Sequence, residues 1–277
     1  FSPDYYLRQW SRLGLLNRSE EVDDFGLDPT YEAKLAPLFE ALYRKWFRVT
    51  VEGVGHVPAQ GRCMIVANHG GALPWDGLML RTAIRLEHPS GRRARWLAED
   101  YVYHMPFAGA FLARVGGVRA CPENAERLLA QDELLAVFPE GIKGVSKLFK
   151  KRYELQRFGR GGHIKLALKT GSSVVPAGIV GAEEAYPMLL RSQRAAKVVG
   201  LPFLPVTPTF PWLGPLGLVP LPSRWVIVLG EPLDLSEHGP DSANDAVLVQ
   251  RVNEQLRARV QDLVARALSL RGERVFF

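Results

Sequence analysis

Apolar residues in this chain fall into short runs of the length of buried strands: "RVTVEGV" (48–54), "CMIVA" (63–67), "ARWLA" (94–98), "LLAVF" (134–138), "SVVPAGIV" (173–180) and "RWVIVLG" (224–230). Between and after them, the pattern changes to helical spacing over 76–87, 104–114, 123–131, 161–170 and 243–269. Strands that are apolar along their whole length and alternate with helices predict a single α/β domain with a mostly parallel central sheet covered by helices. In such a sheet, ligands bind beyond the carboxyl ends of the strands. Two strand ends are polar turns there: "CMIVA" leads into Asn68-His69, and "LLAVF" into "PEGIKG".

Two regions depart from this alternation. Ahead of it, "YYLRQWSRLGLL" and "PLFEALYRKWFRV" read as amphipathic helices that mix Trp and Tyr with Arg and Lys, within an N-terminal segment 1–47 preceding the domain 48–277. That mixture suits a membrane interface, with Trp10 and Trp46 as contacts; helices capping the core are the alternative. Within the domain, Val198 to Ser223 is an insertion of 26 residues without a charge, containing seven prolines and three glycines. It has the length of a membrane span, but so many prolines exclude a spanning helix. Two readings stand: an apolar projection into one leaflet, with Phe203, Phe210 and Trp212 deepest, or a lid folded back over a cavity.

Composition narrows the class. Of 277 residues, 47% are hydrophobic and 23% charged, which describes a folded globular chain. Cys63 and Cys121 are far apart and form no metal or disulfide pattern; a reducing compartment fits them. The chain begins at Phe1 and not Met, so a leader or anchor ahead of it stays open. The net charge of +6 points to anionic partners. From Lys143 to Lys165 there are eight Lys or Arg against one acid, Glu154. No zinc-finger or RNP-type module is present, so membrane phosphates or an anionic substrate are expected and nucleic acid is not.

The chemistry is concentrated in "NHGGALPWDG" (68–77). A histidine oriented by a carboxylate is a general base near neutral pH, and His69 with Asp76 can form such a dyad. Gly70 and Gly71 permit a tight path. Asp76 also suits the first turn of the helix that follows, where the dipole favours a carboxylate. The GxSxG, P-loop and HExxH patterns are absent, so a serine nucleophile, a P-loop and a metalloprotease site are not indicated. "GRGGHIKLA" (159–167) is a Gly-rich turn before a helix and is by itself a weak phosphate signal. "VFPEGIKG" (137–144) places Glu140, Gly141 and Lys143 in a turn that can approach an anion.

Asn68-His69 with Asp76, then "FPEG", then the strand with Val174, Val175 and Pro176, in that order, resembles the glycerolipid (lysophospholipid) acyltransferase family. "VGGVRA" supplies Arg119 where that family has an arginine after glycine and apolar residues. The resemblance covers about residues 48 to 235. Two departures stand out. Six residues, not four, separate His69 from Asp76, and Lys143 replaces an arginine, losing the planar bidentate fork. They resemble a side branch that includes diacylglycerol-type acyltransferases and weigh against a lysophosphatidate acceptor.

The resemblance implies that His69 takes the proton of an acceptor hydroxyl, which attacks the thioester of an acyl-CoA or acyl-carrier protein, while Asp76 orients the imidazole. Asn68, Arg119, Glu140, Gly141 and Lys143 would then bind substrate. It implies no metal and no bound cofactor, a glycerolipid acceptor, and work at a lipid bilayer as a peripheral or monotopic protein on the cytoplasmic face. A non-catalytic lipid-binding scaffold of the same fold and a hydrolase are the competing expectations.

Overall fold

A computed structural model describes residues 21–276 apart from 105–106, 193–195, 197–200 and 236. The first predicted N-terminal helix, with Trp10, and Lys197 to Gly200 lie outside the described residues. Helix α1 (Pro29–Ala41) is capped by Asp28, whose carboxylate accepts from the Tyr31 amide. Strand β1 (Thr50–Glu52) and strand β2 (Cys63–Ala67) precede helix α2 (Trp75–Glu87). Strand β3 (Ala94–Ala98), helices α3 (Asp100–His104) and α4 (Ala108–Arg114), and strand β4 (Gly117–Arg119) follow. Then come α5 (Pro122–Ala130), β5 (Leu134–Val137), the short α6 (Ile142–Val145), α7 (Gly162–Thr170), β6 (Ser173–Val180) and α8 (Ala182–Ala185). A hairpin of β7 (Leu190–Ser192) and β8 (Leu204–Val206) precedes β9 (Val226–Leu229) and the long α9 (Ala246–Arg271).

The main sheet has seven strands in the order β1-β9-β6-β2-β5-β3-β4. Every pairing is parallel except β6 with β9. Strand β2 is central and all five of its residues are buried. Cys63, Ile65 and Ala67 pack on the face covered by α1, α2 and α4; Met64 and Val66 pack on the face covered by α5, α7 and α9. A strand covered on both faces has no polar side to display, which is why its sequence is a continuous apolar run.

The predicted strands 63–67, 94–98 and 173–180 match to the residue, and the other three are shortened at their ends. The predicted helix 104–114 begins late, as α4 at Ala108 after Phe107 with its left-handed φ of 65°, and His104 instead ends the preceding α3. The second predicted N-terminal helix is α1 continued by a π-helical turn, Leu42–Trp46, and it caps the core: Phe39, Tyr43 and Phe47 are buried. Of the expected interface groups there, Trp46 is exposed, and its indole N–H donates to the Pro220 carbonyl. Among the described residues no helix is long and apolar enough to cross a membrane.

The uncharged insertion folds back as an arm over the carboxyl edge of the sheet. Leu201, Phe203, Leu204, Pro205, Phe210 and Leu218 face inward over a cavity of about 290 Å³. Phe203 is 7% exposed and packs with Val145 and Met188, so its expected place in a lipid leaflet is corrected: it is an inner wall residue. Phe210 also lines the cavity and is half-buried, so it is not among the outermost groups of the arm. Trp212 and Leu216 are each 73% exposed at the tip. The arm is tied down by polar contacts: the Tyr186 hydroxyl donates to Leu218 O (2.6 Å) and the Leu221 amide to Ala185 O (2.9 Å).

Candidate active site

Strand β2 hands over to the site through Asn68. Its side-chain amide donates to Ile179 O (2.8 Å) and accepts from Ile179 N (2.7 Å), continuing the β2–β6 ladder by one side chain. The expectation that Asn68 binds substrate is corrected: it is 1% exposed, its amide oxygen and nitrogen are both engaged, and it anchors the strand end. The chain then turns sharply at Gly71 (φ 82°), where a Cβ would stand 2.9 Å from the Ala182 carbonyl oxygen. Only glycine permits that approach.

The turn delivers His69 to Asp76. Nδ1 of His69 lies 2.5 Å from Oδ2 of Asp76, with the histidine side chain 13% exposed and the aspartate 1%. Oδ2 also accepts from the Gly70 amide and Oδ1 from the Gly77 amide, so Asp76 is fixed at the start of α2. The two sequence readings of Asp76 are therefore both realised: it opens the helix and holds the imidazole. A carboxylate accepts, so Nδ1 carries the proton and Nε2 is left as the basic atom. Burial pulls the imidazole pKa down; the charge and hydrogen bond of Asp76, aided by Glu140, outweigh it, and the net shift is upward. The ring stacks on Phe138, centroids 4.7 Å apart.

Glu140 is buried beneath the turn and does not face a ligand. Oε1 accepts from the His69 amide (2.9 Å) and Oε2 from the Gln156 amide (2.6 Å). Its expected substrate contact is corrected to a structural one: it clamps the backbone of the base. Nζ of Lys147 lies 3.3 Å from Glu140 and 3.2 Å from Glu183, and Glu183 in turn accepts from the Tyr153 amide. Desolvation disfavours the ammonium, but the two carboxylates outweigh it and hold Lys147 charged. Sequence reasoning missed Lys147 and Glu183. Lys147 is hidden in a basic run, and its partners are joined to it only by the fold.

The remaining expected binding residues diverge. Gly141 has φ 53°, its amide donates to Phe138 O (3.0 Å), and a Cβ would stand 2.7 Å from Glu99 Oε1. Its role is to make the turn, not to present its own amide to an anion. Lys143 is exposed on the short helix α6. Arg119 ends the edge strand β4, three strands from β2 and so roughly 14 Å away across the sheet. It is engaged by both oxygens of Asp100, at 2.6 and 2.9 Å. The expectation that it joins the His69 site is corrected: the sheet order separates them.

Beside His69 is a narrow cavity walled by Ala72, Leu73, Pro74, Tyr101 and Val102, which also wall the 290 Å³ cavity under the arm. The larger cavity is apolar throughout, with Trp75, Leu78, Phe111 and Leu112 opposite the arm. Trp75, from the long turn between His69 and Asp76, donates its indole N–H to the Tyr186 hydroxyl (2.8 Å), which bonds the arm at Leu218. The extra length of this turn thus joins the base to the cavity roof. The arrangement sets a basic imidazole in the wall of a narrow cavity that adjoins an apolar one through shared walls.

Residues 48–180 match the family model described as Acyltransferase. An uncharacterized protein of Mycobacterium tuberculosis (strain H37Rv) is 46% identical over 257 residues, 92% of this chain and 72% of the relative. One from Mycobacterium leprae is also 46% identical, over 92% of this chain and 70% of the relative. Among solved structures, the 1-acyl-sn-glycerophosphate acyltransferase PlsC from Thermotoga maritima superposes with a TM-score of 0.54 at 18% identity, covering 94% of this chain and 89% of PlsC. At that identity the likeness is one of fold.

Proposed function

The chain belongs to the acyltransferase family, and from this premise we propose that it moves a fatty acyl group from a thioester donor, acyl-CoA or acyl-carrier protein, to a hydroxyl of a glycerolipid or lysophospholipid. The observation that carries the reading is the His69–Asp76 pair, 2.5 Å apart, in the wall of a narrow cavity that shares Ala72, Leu73, Pro74, Tyr101 and Val102 with the apolar cavity under the arm. The acyl chain lies in that cavity, where burial stabilises it by roughly 0.8 kcal/mol per methylene. Nε2 of His69 removes the acceptor's hydroxyl proton as the oxygen attacks the thioester carbonyl. The tetrahedral intermediate collapses, the C–S bond breaks, and the imidazolium returns its proton to the departing thiolate. Asp76 fixes the tautomer and stabilises the imidazolium. The test is incubation with labelled acyl-CoA and glycerol-3-phosphate, lysophosphatidate, lysophospholipids, monoacylglycerol and diacylglycerol, with products identified by mass. Acylation of at least one supports the reading; none, with a carrier-protein donor also tried, refutes it.

A base must be neutral to act, so kcat/KM rises with pH through the imidazole pKa. Because the net shift of His69 is upward, the acid limb is expected with its midpoint above the ordinary histidine value of about 6.5. Asp76→Asn removes the charge that most raises the pKa and leaves Glu140 alone against the burial that lowers it, so its midpoint moves down. A limb at the same pH in both proteins would assign the titration to another group.

The site of work is proposed to be a membrane surface, with the protein bound peripherally or monotopically on the cytoplasmic face. Trp212, Leu213, Leu216 and Val219 at the tip of the arm are exposed, as are Leu189 and Leu190 beside it. Trp suits the headgroup boundary and the leucines the acyl region. In liposome flotation, Trp212→Asp combined with Leu216→Asp is expected to abolish binding while activity on soluble short-chain substrates persists. Unchanged flotation would move the docking role elsewhere in the chain.

A further inference from the structure

A second cavity, of about 400 Å³, opens on the opposite face of the sheet, between α5 and α7. Its inner wall is Leu97 of β3 and Val137 of β5, with Ala120, Cys121 and Ala125 on one side and Gly162, His163 and Leu166 on the other. Lys165 and Lys169, both exposed, stand at its rim with Glu126, which lies 3.9 Å from Lys169. Arg157 and Arg160, also exposed, lie in the loop that leads into α7. This is the Gly-rich turn that the sequence offers as a weak phosphate signal, now opening onto a cavity. His163 is 8% exposed and its Nε2 has no hydrogen-bond partner; burial holds its pKa down at about 4, so the ring is neutral. The cavity therefore combines an apolar slot, with a neutral imidazole in its wall, and a cationic rim.

Its position relates it to the base. Val137 walls this cavity, and the next residue, Phe138, stacks on His69. Leu97 lines both this cavity and the narrow one beside His69. The two sites are thus separated by the thickness of the sheet's carboxyl edge, where α/β folds bind nucleotides. With the acyl chain under the arm, the thiol half of the donor has to leave His69 by another route.

We propose that this second cavity binds the nucleotide end of a coenzyme A thioester, the flat base in the apolar slot and the phosphates at Lys165 and Lys169. This rests on the acyl-transfer reading and deepens it, selecting coenzyme A over a carrier protein, which has no nucleotide to place there.

Cys121 lines the cavity and is partly exposed, whereas Cys63, the other cysteine of the chain, is fully buried. Alkylation of Cys121 by a maleimide therefore reports occupancy without any reaction being run. Adenosine 3′,5′-bisphosphate is expected to slow it. In Lys165→Glu/Lys169→Glu the half-protecting concentration should rise by about tenfold or more, as expected on losing charge-assisted phosphate contacts. The KM for acyl-CoA should rise in step, with the acceptor KM unchanged. Calorimetric titration with the same nucleotide gives the answer should Cys121 react too slowly. No protection and no heat in the wild type, or equal affinity in the double variant, would overturn the proposal. Transfer from acyl-CoA with a KM indifferent to the two lysines would sink the nucleotide site and leave the acyl-transfer reading standing. Protection by the nucleotide in a protein that transfers no acyl group would do the reverse.

Discussion

Replacing His69 by alanine is expected to lower acyl transfer by about 10²–10⁴-fold, the usual contribution of a positioned general base. The fold should survive. His69 reaches its place through its backbone amide, held by Glu140, and through the Gly70–Gly71 turn, neither of which the substitution touches. The ring's stack on Phe138 and its hydrogen bond to Asp76 are lost, but Asp76 keeps the Gly70 and Gly77 amides as donors. The comparison is of kcat/KM and thermal midpoint for both proteins. A variant with near-native turnover would show that Nε2 is not the base. A large fall in midpoint together with activity would assign the loss to folding.

Lys147→Met should have the largest effect on stability. It removes the cation shared by two buried carboxylates, Glu140 and Glu183, and breaking such a group typically costs about 3–5 kcal/mol. For a chain of this size that is a fall in Tm of roughly 10 °C. The pH dependence follows. The folded-state pKa of Lys147 is raised, so its contribution is complete at neutral pH and is lost only as pH rises through that value. In the variant the stranded carboxylates are relieved by protonation, so its deficit should shrink on acidification. Activity should fall too, because Glu140 holds the His69 amide. Thermal melts from pH 5 to 8 decide: an unchanged Tm would show that the carboxylates are neutral or hydrated without the lysine.

What the sequence made legible followed from local physics. Strand β2 is apolar at every position because it is buried on both faces, and its end at Asn68-His69 marked the site. The dyad was readable because both members lie on one turn. Strand β4 was not: three residues within a Gly-rich stretch carry no period. The late start of the predicted helix 104–114, at Ala108, follows a left-handed residue, Phe107, whose type does not announce that conformation. Roles set by distant partners were misassigned. Asn68 is spent on Ile179 and Glu140 on the His69 amide, while Arg119 is carried away by the order of the strands. The charge-free arm signalled burial correctly, but much of what buries it is the protein's own cavity.

The most direct test of the account measures thiol release and ester formation together, using purified protein, radiolabelled acyl-CoA and a glycerolipid acceptor, with and without the acceptor present. The account predicts that free coenzyme A appears only when the acceptor is there, in equal amount to the acylated lipid, and that His69→Ala abolishes both. Thiol release without acceptor, with free fatty acid as the product, would contradict it and identify the protein as a hydrolase.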